Sequence, residues 1–122
     1  MTQAVAIDGD IITETSTAKS SLDVDQKGKW QLTVLTVKLG EKISVAGKKV
    51  VMEAEATWEY LGASANNAPV QVPPEKIKLT AGDTKLTDFG NNVLVDGDEV
   101  SGLVDPANKI KVQASQNSLK TD

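Results

Sequence analysis

The groups in this chain best placed for chemistry are carboxylates set beside glycines. Asp8 and Asp10 flank Gly9, Asp96 and Asp98 flank Gly97 with Glu99 following, and Asp23-x-Asp25 adds another pair. Oxygen ligands at such spacing suggest a calcium loop. The EF-hand pattern fails, however. Counted from Asp23, the fifth position is Lys27, and the twelfth, where a bidentate glutamate should stand, is Val34. Aspartate also favours turns in its own right, through local hydrogen bonds and tolerance of left-handed backbone. Turn chemistry accounts for the same residues without an ion, so no metal and no cofactor is expected. Glu53, Glu55 and Glu59 form a second acidic set. Two carboxylates at a suitable separation could hydrolyse a glycosidic bond. A solvated strand face, paired across strands with Lys76/Lys78 or Lys109/Lys111, is the simpler account.

What the chain lacks narrows the chemistry further. Its 122 residues include no histidine, no cysteine and no arginine; all 13 basic residues are lysine. Without histidine the commonest general base and metal ligand is missing. Without cysteine there is neither a thiolate nucleophile nor a disulfide framework. Serine would need a lysine partner, and the two Ser-x-x-Lys-like stretches, Ser16 to Lys19 and Ser118 to Lys120, fall in a loop and a tail. No glycine-rich phosphate loop precedes a helix. A net charge of −4 opposes phosphate neutralisation, and two Trp, one Tyr and one Phe leave little to stack on bases. The residue inventory points to a protein that is not an enzyme and binds no nucleic acid.

The elements that carry these residues announce themselves through a phrase repeated three times. It reads Val5-x-Ile7-x-Gly9-x-x-Ile12, Ile43-x-Val45-x-Gly47-x-x-Val50 and Val93-x-Val95-x-Gly97-x-x-Val100. Alternating apolar residues running into Asp8-Gly9, Ala46-Gly47 or Asp96-Gly97 and out again predict tight hairpins with both corner residues at positive φ. The copies start 38 and then 50 residues apart, so no strict solenoid period is present. Trp30 to Leu39 reads as a strand with a change of phase. A bulge near Val34-Leu35 would return Trp30, Leu32 and Val34 and the set Leu35, Val37 and Leu39 to one face. From Val50 to Leu61 the alternation is sustained, with Met52, Ala54, Ala56, Trp58 and Tyr60 on one side and the glutamates on the other. A helix, favoured locally by Met-Glu-Ala-Glu-Ala, would scatter those apolar residues, so a strand is expected.

Thr15 to Lys29 and the Pro-rich stretch Gly62 to Glu75 read as loops. Short strands are expected at 75–80, 84–86, 92–95, 100–104 and 110–114. The fold class is therefore all-β: a single small domain of hairpins over residues 1–114, sandwich- or cone-like with little or no helix, then a frayed polar tail over 115–122. At this length a core can form without staples. Trp58 and Tyr60, together with Asn66 and Asn67 in the loop, make a candidate binding surface, although aromatics on apolar strand faces more often belong to the core. There is no run of the roughly 20 apolar residues needed to span a bilayer, and residues 1–10 show no secretory signal. Synthesis in the cytoplasm is expected, with export lacking a cleaved signal left open, and no membrane insertion.

The hairpin phrase, above all Asn92-Val93-Leu94-Val95-Asp96-Gly97-Asp98-Glu99-Val100, resembles the repeated unit of PAAR-like proteins. The resemblance implies a β-rich cone capping the trimeric spike of a contractile injection apparatus, such as a type VI secretion system. It also implies a protein partner, either that spike or a secreted effector. The chain departs from the family pattern in lacking the Pro-Ala-Ala-Arg motif and the apical metal-binding histidines. An apex here would have to be held by packing and hydrogen bonds. Two functions follow as expectations: a structural or accessory protein of a phage-tail-like machine, or a generic β-sandwich module that recognises a carbohydrate or a protein.

Overall fold

The computed structural model describes residues 2–122, and among them there is no helix. The strands in chain order are β1 (Gln3–Ala4), β2 (Ile11–Glu14), β3 (Lys29–Val45), β4 (Lys48–Leu61), β5 (Ser64–Ala65) and β6 (Ala68–Pro69). They continue as β7 (Glu75–Thr80), β8 (Thr87–Asp88), β9 (Asn91–Asn92), β10 (Glu99–Ser101), β11 (Lys109–Val112) and β12 (Lys120–Thr121). Over the described residues the fold is all-β and divided among several small sheets, with no closed barrel among them.

β3, β4 and β7 form the largest sheet in that order, every pair antiparallel. The corner Ala46-Gly47 joins β3 to β4 with both residues at positive φ, 52° and 83°, the geometry that matches strand twist. Thr33 is an extra residue in β3: Leu32 faces Trp58 while Val34 faces Thr57. The bulge thus falls just ahead of Val34-Leu35. Trp30, Leu32, Leu35 and Val37 all oppose inward residues of β4, namely Tyr60, Trp58, Ala56 and Ala54. Val34 is shifted to the outer face and is exposed. From Glu53 to Leu61 β4 alternates, because a strand is the conformation that buries Ala54, Ala56, Trp58 and Tyr60 together. Met52 is an extra residue between Glu53 opposite Lys38 and Val51 opposite Leu39, so Val51 and not Met52 joins the inward set. On its outer side Glu53 and Glu55 reach Lys78 and Lys76 of β7 at 3.3 and 3.5 Å, and Glu14 of β2 meets Lys111 of β11 at 2.7 Å.

The first and third copies of the phrase are not hairpins. At Asp8-Gly9 and Asp96-Gly97 only the glycine has positive φ, 100° and 91°, as in a type II turn. Asp10 and Asp98 donate their N–H groups to the carbonyls of Ile7 and Val95 across these corners. The arms then part company. β2 pairs with β11, and β10 pairs with β11 from the other side. The incoming arms instead meet each other and β4, in isolated pairings of Val5 with Val95 and Ile7 with Val50.

At that meeting point three backbones close a ring. Ala6 N–H donates to the Leu94 carbonyl at 2.9 Å, Leu94 N–H to Val51 at 2.9 Å, and Val51 N–H to Ala6 at 3.0 Å. All three residues are fully buried. The ring separates two cores. Val5, Val50 and Val93 turn to one side, where Val95 joins them and Ile43, Leu86 and Leu119 cover them. Ala6, Val51 and Leu94 turn to the other side, into the main core with Trp58, Leu79 and Ile110. Two edges of the junction carry a second hydrogen bond, Asp8 N–H to Lys49 and Asp96 N–H to Ala4. On the third edge the corresponding residue, Glu53, is already committed to Lys38 and Thr80.

Two further expectations are corrected. Residues 115–122 are not a frayed tail. β12 pairs with β1, Thr121 is buried, and the Gln116 amide donates to the carbonyls of Val5 and Leu119, both at 2.8 Å. Stretch 62–75 is not all loop either. Asn66 and Asn67, at φ 57° and 63°, turn β5 back onto β6, with Pro69 in the terminal pair. No described helix is long and apolar enough to cross a membrane.

Candidate functional site

The polar groups with the strongest perturbation lie beneath loops. Asp23 is buried in the 15–29 loop and accepts from Lys27 N–H at 3.1 Å, Gly28 N–H at 2.8 Å, Ser64 N–H at 3.1 Å and the Tyr60 hydroxyl at 2.5 Å. Burial alone would raise its pKa. The Tyr60 hydroxyl and the three backbone donors outweigh that and hold it at about 2, while burial and Asp23 together push Tyr60 up. Asp88 is built on the same plan. Burial raises its pKa, but the N–H groups of Ile43, Lys42 and Glu41 lower it further, at distances of 2.7 to 3.2 Å. This carboxylate fixes the irregular part of β3, where pairing with β4 skips from Leu39 to Ser44. A Cβ on Gly40 would fall 2.5 Å from Asp88 Oδ2, so glycine is required where the strand passes.

Glu75 repeats the device. It is buried at the start of β7 and accepts from the N–H groups of Leu103, Val104 and Asp105 at 2.9 to 3.2 Å. Asn108 is fully buried; its Oδ1 accepts from Ser16 N–H at 2.7 Å, and its Nδ2 has no partner among the described residues. In each case successive backbone donors neutralise a carboxylate, a task sequence spacing cannot announce because the donors lie up to 47 residues away. Chemically these groups are engaged. Asp23 and Asp88, with their lone pairs occupied and their pKa values depressed, are poor general bases, and the Glu75 oxygens are occupied by backbone donors.

The turn aspartates serve their own corners. Asp10 Oδ2 accepts from Ile7 N–H and Asp98 Oδ2 from Val95 N–H, each at 2.9 Å. Ser115 Oγ donates to Asp10 Oδ1 at 2.6 Å, and Asp96 Oδ1 accepts from Ala114 N–H. Among the described residues no three His, Cys, Asp or Glu side chains gather as a metal site.

The candidate binding surface does not hold together. Trp58 is wholly buried, with its indole N–H donating to Thr15 Oγ1 at 2.9 Å, and Tyr60 packs edge-on against Trp30 with ring centroids 5.3 Å apart. Both side chains lie on the inward face of β4, so neither can stack on a ligand. Asn66 and Asn67 are exposed at their corner, and Asn67 is tied to Asp25 Oδ2 through its N–H and to Lys27 through its side chain.

Solvent-facing apolar groups concentrate elsewhere. In β3 the five residues Leu32 to Thr36 are all exposed, which places aliphatic groups on both faces of one strand. Leu103 is 94% exposed on the loop that Glu75 clamps, and a shallow cleft of about 300 Å³ lies near it, lined by Leu22, Trp30, Val72, Pro73 and Val104. Alternation marked β3 as a strand, but only its place at the sheet margin reveals that its apolar residues stay uncovered. No family model, curated relative or solved structure matches the chain.

Proposed function

We propose that this chain is a non-enzymatic structural protein that docks onto a protein partner, and more narrowly that it serves as an accessory component of a phage-tail-like contractile injection apparatus. The observation that carries the reading is the hydrogen-bonded ring of Ala6, Leu94 and Val51, with small apolar cores on both sides. A closed junction of three extended segments leaves no backbone group there unpaired, so it resists local opening. Rigidity of that kind suits a part that transmits force. The buried carboxylates support the non-enzymatic side of the reading, since each is spent on backbone donors. The narrower assignment rests on the likeness of Asn92 to Val100, and of the looser phrase that Val5 to Ile12 and Ile43 to Val50 share with it, to PAAR-like units. Burial of Trp58 and Tyr60 removes the aromatic platform that a carbohydrate-binding module would use.

Crosslinking in the native host, read by mass spectrometry, tests the assignment. The expected result is lysine crosslinks to a spike, tube or effector protein of such a machine. Crosslinks confined to unrelated proteins overturn it.

A further inference from the structure

We propose that the free margin of β3 between Lys29 and Lys38 is a strand-addition site, and that its occupant is an extended segment of another protein, uncharged in the middle and acidic at both ends. The proposal rests on the reading of this chain as a docking protein and names the surface and the partner chemistry.

β3 sits at the outside of the order β3-β4-β7. Among the described residues no other segment gives a backbone partner to its outer margin from Gln31 to Lys38. Such margins are ordinarily blunted by charge, proline or a covering loop, because they template pairing with other chains. Between Trp30 and Val37 this one carries a single device of that kind, the bulge at Thr33. Trp30 to Val37 carries no charge and no proline, and Leu32, Val34 and Leu35 remain exposed at its centre. The stretch is eight residues, about 26 Å of extended chain, comparable with a whole strand.

Charge decides the occupant. Overlapping this uncharged stretch with its own copy, antiparallel, sets Lys29 against Lys38 at both ends, and like charges directly opposite are destabilising. A foreign strand with a carboxylate at each end meets a lysine at each end instead. The existing neighbour shows this pairing at one end: β4 places Glu53 opposite Lys38, while Leu61 stands opposite Lys29 and Ala54, Ala56 and Trp58 point inward. Because Thr33 is a bulge, Lys38 and Lys29, nine apart, face Glu53 and Leu61, eight apart. A nine-residue partner segment therefore spans the site with both ends on the outer face. Main-chain hydrogen bonds supply the affinity in this mode, and alternate side chains supply the specificity.

The probe is the peptide Glu-Val-Thr-Val-Thr-Val-Thr-Val-Glu, N-methylated along one margin so that it cannot stack on itself. Amide exchange and chemical shifts of the intact chain are followed by NMR. The outward amides on each side of the Thr33 bulge, alternate within Trp30 to Leu32 and within Val34 to Val37, should exchange about tenfold more slowly when the peptide is bound. Replacing both terminal Glu by Lys, or introducing Val34→Lys in the protein, should weaken binding at least about fivefold. Val34 lies on the exposed outer face, so Val34→Lys should leave the fold intact, and Thr36→Lys provides a second variant at another exposed position. Equal binding of the lysine-ended peptide, perturbation centred on Leu22 and Val104, or protection that appears with protein concentration alone would each overturn the proposal. The host crosslinks separate it from the functional reading. Contacts at 29–38 to a protein outside any injection machine sink that reading and spare the site. Contacts to a spike protein that avoid 29–38 do the reverse.

Discussion

Single residues hold this fold in two ways: carboxylates collect backbone donors, and corners accept left-handed backbone. Asp23 is the clearest carboxylate. Its folded pKa of about 2 lies below the ordinary 3.8, so the stability it contributes is complete above the ordinary value and is lost as pH falls toward 2. Acid titration of unfolding, followed by tryptophan fluorescence, should therefore show falling stability across that window. Asp23→Asn should be less stable at neutral pH and should flatten the fall within the window; an unchanged slope would remove Asp23 from the account. Ala46 is a corner that carries a cost. It adopts φ 52°, a region that disfavours a side chain with no local hydrogen bond to offer, by about 1 kcal/mol or more. Asparagine accepts that geometry readily at the same place in a type I′ turn. Ala46→Asn should raise stability by about 0.5 to 1 kcal/mol in chemical denaturation, with the slope of the transition unchanged.

At the scale of elements, alternation reveals which face of a strand is buried but not which strand lies beside it. β4 and β7 were legible for that reason: Ala54-x-Ala56-x-Trp58 and Ile77-x-Leu79 state their inward faces directly. The partners of the arms around Asp8-Gly9 and Asp96-Gly97 were not legible. Their glycines permit a reversal, yet the direction after the turn is set by contacts tens of residues away, such as Ile11 with Val112. The clamps by Glu75 and Asp88 were hidden likewise, since backbone donors leave no mark in residue type. The bulge was visible as a phase change, and its place at Thr33 leaves Leu32 as the cross-strand neighbour of Trp58. Trp58→Ala should cost about 3 to 5 kcal/mol, because the indole is wholly enclosed. Deleting Thr33 should be as severe. Without the extra residue, the buried Trp30 and the partly buried Val37 cannot both lie on the inward face, so the cooperative thermal transition should be lost. A deletion variant that melts like the parent would show that the bulge carries no register information.

Over the whole molecule the repeated phrase acts as one junction, not as three hairpins. Its ring draws on residues near the start, middle and end of the chain, so no contiguous half of the sequence contains it. Contacts of such long sequence separation form late and slowly in folding. The last segment then seals the smaller core. Leu119 covers Val5, Val50 and Val93, its carbonyl accepts from Val5 N–H at 3.0 Å, and Ser115 bonds to Asp10. Removing residues 115–122 opens that side of the ring to water while leaving the β3-β4-β7 sheet complete. The truncated chain should lose at least about 2 kcal/mol, from exposed aliphatic surface and unpaired backbone. Hydrogen exchange locates the damage. The amides of Val5, Ala6, Val51 and Leu94 should lose protection before those shared by β4 and β7, because the former depend on the seal and the latter do not. If the ring amides stayed the slowest in the truncated chain, its stability would come from the main core alone, and the C-terminal segment would be a cover without a structural task.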